Sequence, residues 1–146
     1  MEGFFEGAKD RLVRLAPSLL QVETGMSPDA ADVFALNHTV SALVHPLSDM
    51  VDPIAEACMM VTQREVWTFG VTMALVFPGG FPEWVKARAE IKAALRGWTG
   101  PDGLLATPVE YAGGQTTQYS INQEGGRWLH VLRFRASLLE TYEQLL

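Results

Sequence analysis

The sequence predicts an α+β fold, an antiparallel or mixed β-sheet with helices packed on one face. Three observations predict it. Val61–Phe77 and Arg127–Leu138 both alternate apolar and small or polar residues with a period of two, as half-buried strands do. Between them, Pro82–Trp98 carries its apolar residues at helical spacing. Breaks at Pro78-Gly79-Gly80, Gly100-Pro101-Asp102-Gly103 and Gly125-Gly126 separate these segments. With 146 residues the chain fits one domain and is long enough to bury a sizeable core.

In chain order, Phe4, Phe5, Ala8, Leu12 and Leu15 recur at helical spacing and Pro17 follows, so Gly3–Ala16 reads as a first amphipathic helix. Ser18–Glu23 reads as a short strand. Ser27 is placed to cap a short helical turn, with Pro28 in its first position, running through Ala35 and ending near Asn37. Thr39–Pro46 alternates Val40, Ala42 and Val44 against Ser41, Leu43 and His45, a second strand stopped by Pro46. Leu47–Met60, with Ser48, Asp49, Asp52 and Pro53, reads as a long loop suited to partner contacts.

The stretch Val61–Phe77 organises the rest. Trp67, Phe69, Val71, Met73, Leu75 and Phe77 form one apolar face; Thr68, Gly70, Thr72, Ala74 and Val76 form the other. At about 3.3 Å per residue such a strand spans ~56 Å, far beyond the usual length. Its first part contains Thr62, Gln63, Arg64 and Glu65. The expectation is that Trp67–Phe77 lies in the sheet while Val61–Val66 overhangs it, or that the strand bends near Gly70.

In the helix Pro82–Trp98, the residues Trp84, Ile91, Leu95 and Trp98 form one stripe flanked by Ala87 and Ala94. Pro82 and Glu83 suit its first turn, and Gly97 and Gly100 its exit. Ala106–Ala112, then Gln115–Gln123 after Gly113-Gly114, read as strands, the latter hairpin-paired with Arg127–Leu138 through a turn at Gly125-Gly126. Glu140–Leu146 reads as a short tail.

Chemistry-bearing patterns are sparse. His38, His45 and His130 show no HxxxH or HExxH spacing, and Cys58 has no CxxC partner, so no metal site is expected. A lone cysteine among Ala57, Met59 and Met60 reads as a buried thiol and excludes an internal disulfide. The serines lack a GxSxG elbow. Gly79-Gly80 lacks the GxxxxGK[ST] and GxGxxG patterns of phosphate loops. No cofactor is expected and no enzymatic role is assigned. A net charge of −6 speaks against a nucleic-acid grip, which needs clustered Lys and Arg. No run approaches the ~20 apolar residues of a membrane span, and the first residues lack a signal-peptide pattern, so the expected chain is soluble and not exported. Trp67, Trp84, Trp98 and Trp128 read as core packing between helix and sheet, with interface anchoring as the alternative. Arg127, Arg133 and Arg135 line one side of the last strand, either as a solvated face or as partners for acids across a subunit boundary.

The second half carries a resemblance. Ala94-Leu95-Arg96-Gly97-Trp98, then Pro108-Val109-Glu110-Tyr111-Ala112-Gly113-Gly114, then Arg127-Trp128 and a long final strand, resembles tail terminator proteins of long-tailed phages and gene-transfer agents. Upstream, Ala42–Ser48, and Gln63-Arg64 ahead of Phe69-Gly70-Val71, look like that family's paired central strands. The resemblance spans about Ala42–Tyr142; the order and spacing of several motifs carry it.

That resemblance implies a structural protein of the virion neck, assembled in the host cytoplasm. It implies a homo-hexameric ring that caps the head-proximal end of the tail tube, ends tube polymerisation and meets the head connector or stopper protein. DNA passes through the lumen without specific binding, and no membrane is involved. A head–tail joining protein of the same fold is the near alternative; a small-molecule-binding α+β module is a remoter one, distinguished by remaining a monomer with ligand-dependent stability. A rotational ring needs two different patches per subunit. Gln63, Arg64 and Glu65 on the overhang, with Arg127, Arg133 and Arg135 on the last strand, are the candidate interface residues. Six copies carry a formal charge of 6 × (−6) = −36, which leads to the expectation that acidic residues face the lumen and let DNA slide.

Overall fold

In the computed structural model, which describes residues 2–26, 40–51, 55–57, 60–76, 81–120 and 127–143, two helices cover one face of a six-stranded mixed sheet. Helix α1 spans Glu2–Leu15. Its positions Phe4, Ala8 and Leu12 are fully buried because they fall on one stripe, four residues apart. Helix α2 spans Phe81–Leu95 and buries Ala87, Ile91, Ala94 and Leu95 against the same core. Pro82 and Glu83 occupy its first turn, as the sequence indicates. Arg11 of α1 donates from Nε to the Ala94 carbonyl at 2.6 Å, a cation placed at the negative end of α2.

The strands are β1 (Gln21–Thr24), β2 (Val40–Val51), β3 (Ala55–Ala57), β4 (Met60–Val76), β5 (Thr107–Ser120) and β6 (Arg127–Glu143). They lie in the order β1-β2-β4-β6-β5, with β3 alongside the start of β4. The β1–β2 pair is parallel, with Gln21 opposite Ser41 and Thr24 opposite Val44, and the remaining pairs are antiparallel. The predicted α+β class with a mixed sheet is what forms. The helical turn expected near Ser27–Ala35, the turn at Gly125-Gly126, His38 and Cys58 lie outside the described residues.

Four expectations about strand limits change. Pro46 does not stop β2, which continues to Val51 after a register shift between Pro46 and Ser48. The β1 neighbour ends opposite Val44, so among the described residues nothing pairs with the outer edge of β2 at Pro46, and there a missing N–H is tolerated. Much of the predicted Leu47–Met60 loop is therefore strand: the end of β2, then β3 paired with β4 from Ala55↔Thr62 to Ala57↔Met60. Val61–Val66 is not an unpaired overhang, and Glu140–Glu143, the described part of the expected tail, belongs to β6. The two stretches pair with each other, Met60↔Glu143 through Val66↔Ser137, and so satisfy each other's backbone groups. The β4–β6 pairing also passes Gly70 without a register shift.

Nor is β4 half-buried at its centre. Phe69, Val71 and Met73 enter the core beneath the helices, but Gly70, Thr72 and Ala74 on the other face are buried too. Their small side chains leave room for the ring of His45 and the end of Leu47 to pack over Gly70. The core centre is aromatic: Phe69 stacks on Phe134 of β6 at 5.5 Å between centroids, and Phe4 meets Phe69 edge-on at 5.0 Å. Trp98 lies parallel to Phe4 at 5.3 Å. Trp67 and Trp84 also pack against the core.

Candidate functional site

Residues opposite each other in an antiparallel pair share a sheet face. Thr68 opposes Arg135 and Ser48; Gly70 opposes Arg133 and His45. Alternation along β4 adds Arg64 to that face, and the pairing of Arg127 with Val76 gives it the same register position. Arg64, Arg133 and Arg135 therefore belong to one face, the one turned away from α1 and α2, while the side chain of Arg127 lies outside the described residues. Gln63 and Glu65 have the other register, with Glu65 opposite Leu138. Alternation separates three residues that are neighbours in sequence, so they do not form one patch.

A groove of about 700 Å³ runs over this arginine face, lined by Arg64, Thr68, Thr107, Glu110, Arg135 and Ser137 among others. It exists because β5 leaves regular pairing here: Thr107 opposes Ser137 and Glu110 opposes Arg135, three residues of β5 spanning two of β6. Arg135 faces Glu110 at 3.6 Å through Nε, and Arg133 donates to Gln115 Oε1 at 3.2 Å. A second bulge follows between Tyr111 and Gly113, where Gly113 takes a φ of 103°, a conformation glycine adopts without strain.

Beneath the helices lies a polar cluster that sequence reasoning missed. Arg88 of α2 donates from Nε to His130 Nε2 at 3.1 Å and from a terminal nitrogen to the Tyr111 hydroxyl at 3.0 Å. Because His130 Nε2 accepts, Nδ1 carries the proton and donates to Thr116 Oγ1 at 2.7 Å. Trp84 meets the imidazole edge-on at 5.1 Å. Burial and the adjacent Arg88 charge push the His130 pKa down to about 4, so the ring is neutral. The signal was present in the sequence only as Gly114. A Cβ there would stand 2.9 Å from both His130 Nε2 and the Tyr111 hydroxyl, so the cluster requires a residue without a side chain.

His45 is held in the same way on the arginine face. Its Nδ1 donates to the Pro46 carbonyl at 3.1 Å, which leaves Nε2 to accept from Thr72 Oγ1 at 2.7 Å. Burial lowers its pKa despite that backbone bond. Both described histidines thus have two engaged ring nitrogens, as a satisfied structural histidine does. Among the described residues no group of three or more His, Cys, Asp and Glu side chains is placed to hold a metal ion, and no helix is long and apolar enough to cross a membrane.

What this geometry offers is a broad, charged sheet face with a shallow groove. A chain from the virion of a native gene transfer agent particle aligns with a TM-score of 0.63, covering 95% of this chain and 96% of that one. The two share a fold. Their sequences are 17% identical, so the likeness is one of architecture. PilO, a type 4 fimbrial biogenesis protein from Pseudomonas aeruginosa, aligns over 66% of this chain and 57% of its own at 5% identity; its TM-score of 0.31 carries no argument. No protein-family model matches the sequence, and no curated protein does.

Proposed function

We propose that this protein is a structural component of a virion that assembles as a homo-hexameric ring on the head-proximal end of a tail tube. There it ends tube polymerisation and joins the tail to the head connector. The observation that carries this reading is the end-to-end likeness to the gene transfer agent virion chain, with almost nothing of either chain left over. The motifs behind the sequence resemblance fall at the limits of elements: Ala94-Leu95 ends α2, Pro108–Gly114 forms the bulged start of β5, and Arg127 opens β6. The ring's partners are its own copies, the tail tube protein and the head connector or stopper protein. Acidic residues face the lumen, so DNA passes without being gripped.

Imaging particles made without this protein tests the reading. Tubes longer than normal are the expected defect of a missing terminator. Tails of normal length that fail to join heads mark a head–tail joining protein instead. Normal, headed tails exclude both. Lysine or alanine in place of lumen acids is expected to slow DNA ejection, and unchanged ejection kinetics remove the sliding-surface idea.

A further inference from the structure

Arg88 and Lys92 are half-buried cations with no counter-ion among the described residues. They stand one turn apart on α2, and both lie over the Tyr111 ring, 5.9 Å and 4.4 Å from its centroid. The two groups that accept from Arg88, His130 Nε2 and the Tyr111 hydroxyl, are neutral. No residue three or four positions from either cation is acidic, and Arg96 extends the row by another turn. The proton of the Tyr111 hydroxyl meets no acceptor among the described residues. Positive charge and spare donors thus converge on one phenol, and the complement of such a set is a carboxylate.

The opposite case lies on β4. Among acids with described side chains, Glu6, Glu23, Glu90 and Glu110 have partners, and Asp10, Glu83 and Asp102 are exposed to water. Glu65 is half-buried, its cross-strand neighbours are Val51 and Leu138, and no described residue pairs with its carboxylate. A carboxylate withdrawn from water without a partner is unfavourable. One chain cannot join its own two sites. Tyr111 shares a rung with Phe134 and Phe69, and His130 with Met73, so Glu65 lies four to eight residues along β4 from the cluster. At about 3.3 Å per residue that is ~13–26 Å, far beyond the ~4 Å of an ion pair.

We propose that Glu65 of one copy docks on Arg88, Lys92 and Tyr111 of the next, head to tail. This contact rests on the ring reading above and supplies the two different patches that a closed heterologous ring requires. Each copy gives its carboxylate to one neighbour and its cations to the other, so both uncompensated charges find partners. Opposite charges at the two patches steer encounter and fix orientation, and salt weakens the contact by screening. A nucleic-acid backbone is the poorer occupant, because three cations on a chain of net charge −6 make a weak grip on phosphates.

Charge reversal tests it. Light scattering follows the association of wild-type chain, of Lys92→Glu, of Glu65→Lys, and of the two variants mixed in equal amounts, at low and high salt. Electron microscopy scores the same samples on tube ends. Each variant alone is expected to lose association by at least about tenfold. The mixture is expected to recover it, because alternating copies restore an opposite-charge pair at every contact. Asp10→Lys, which changes net charge as much as Glu65→Lys does but at an exposed acid, is expected to associate as wild type. Circular dichroism checks folding; Lys92→Gln and Glu65→Gln, which neutralise without reversing, serve if a reversed chain does not fold and are expected to show a smaller loss. Reversed chains that associate as wild type does, a mixture no better than its parts, or an Asp10→Lys loss as large as that of Glu65→Lys overturns this contact and leaves the ring standing. A wild-type chain that stays single both in solution and on tube ends overturns the ring and this contact with it.

Discussion

The ring of His45 occupies the space where Gly70 would carry a side chain. A Cβ on Gly70 would lie 2.5 Å from His45 Cε1 and 2.9 Å from Nε2. The ring cannot swing aside, because the Pro46 carbonyl holds one nitrogen and the Thr72 hydroxyl the other. Gly70→Ala is therefore expected to destabilise the fold by about 1–3 kcal/mol, the usual cost of overpacking a fixed interior. Denaturant titration measures it, and a stability equal to wild type would contradict the rigid packing described.

Stability should fall with acid in a defined window. Folding lowers the pKa of both His45 and His130 from 6.5, the latter to about 4. The unfolded chain then binds more protons than the native one below pH about 6.5, so native stability is greatest above that value and declines toward pH about 4. The slope is at most about 1.4 kcal/mol per pH unit for each histidine. Denaturation at a series of pH values checks this, together with NMR titration of the imidazoles. Arg88→Gln should raise the His130 pKa, since it removes the adjacent charge; an unchanged titration would argue against the contact.

Phe4 joins three parts of the chain: α1 that carries it, Phe69 of β4, and Trp98 after α2. Truncating so buried an aromatic leaves a cavity, and Phe4→Ala is expected to cost about 3–5 kcal/mol. Fluorescence of Trp98 should change with it. A loss under about 1 kcal/mol would mean that α1 is not seated as described.

Glu90 closes the turn after α1. One carboxylate oxygen accepts from the Ser18 backbone N–H at 3.0 Å and the other from the Ser18 hydroxyl at 2.9 Å. Glu90→Ala removes both acceptors at once and should destabilise by about 1–3 kcal/mol. Ser18→Ala, which keeps the backbone bond, should cost less. The order of the two denaturation midpoints is the check.

Local pattern determined a good deal of this protein. Period two along β4 and β6 and helical spacing in α1 and α2 follow from side-chain geometry within one segment, so the class, the core stripes and the arginine row on β6 were legible in the sequence. What pairing supplies was not legible. Pro46 looked like a strand end because the sequence does not show that β1 stops opposite Val44. Val61–Val66 looked unpaired because its partner, Ser137–Tyr142, lies 71 to 81 residues further along the chain. The Arg88–His130–Tyr111 cluster depends on a helix crossing two strands. Local sterics set the elements, whereas register and neighbours are fixed only when distant backbones meet, and the groove exists only in that meeting.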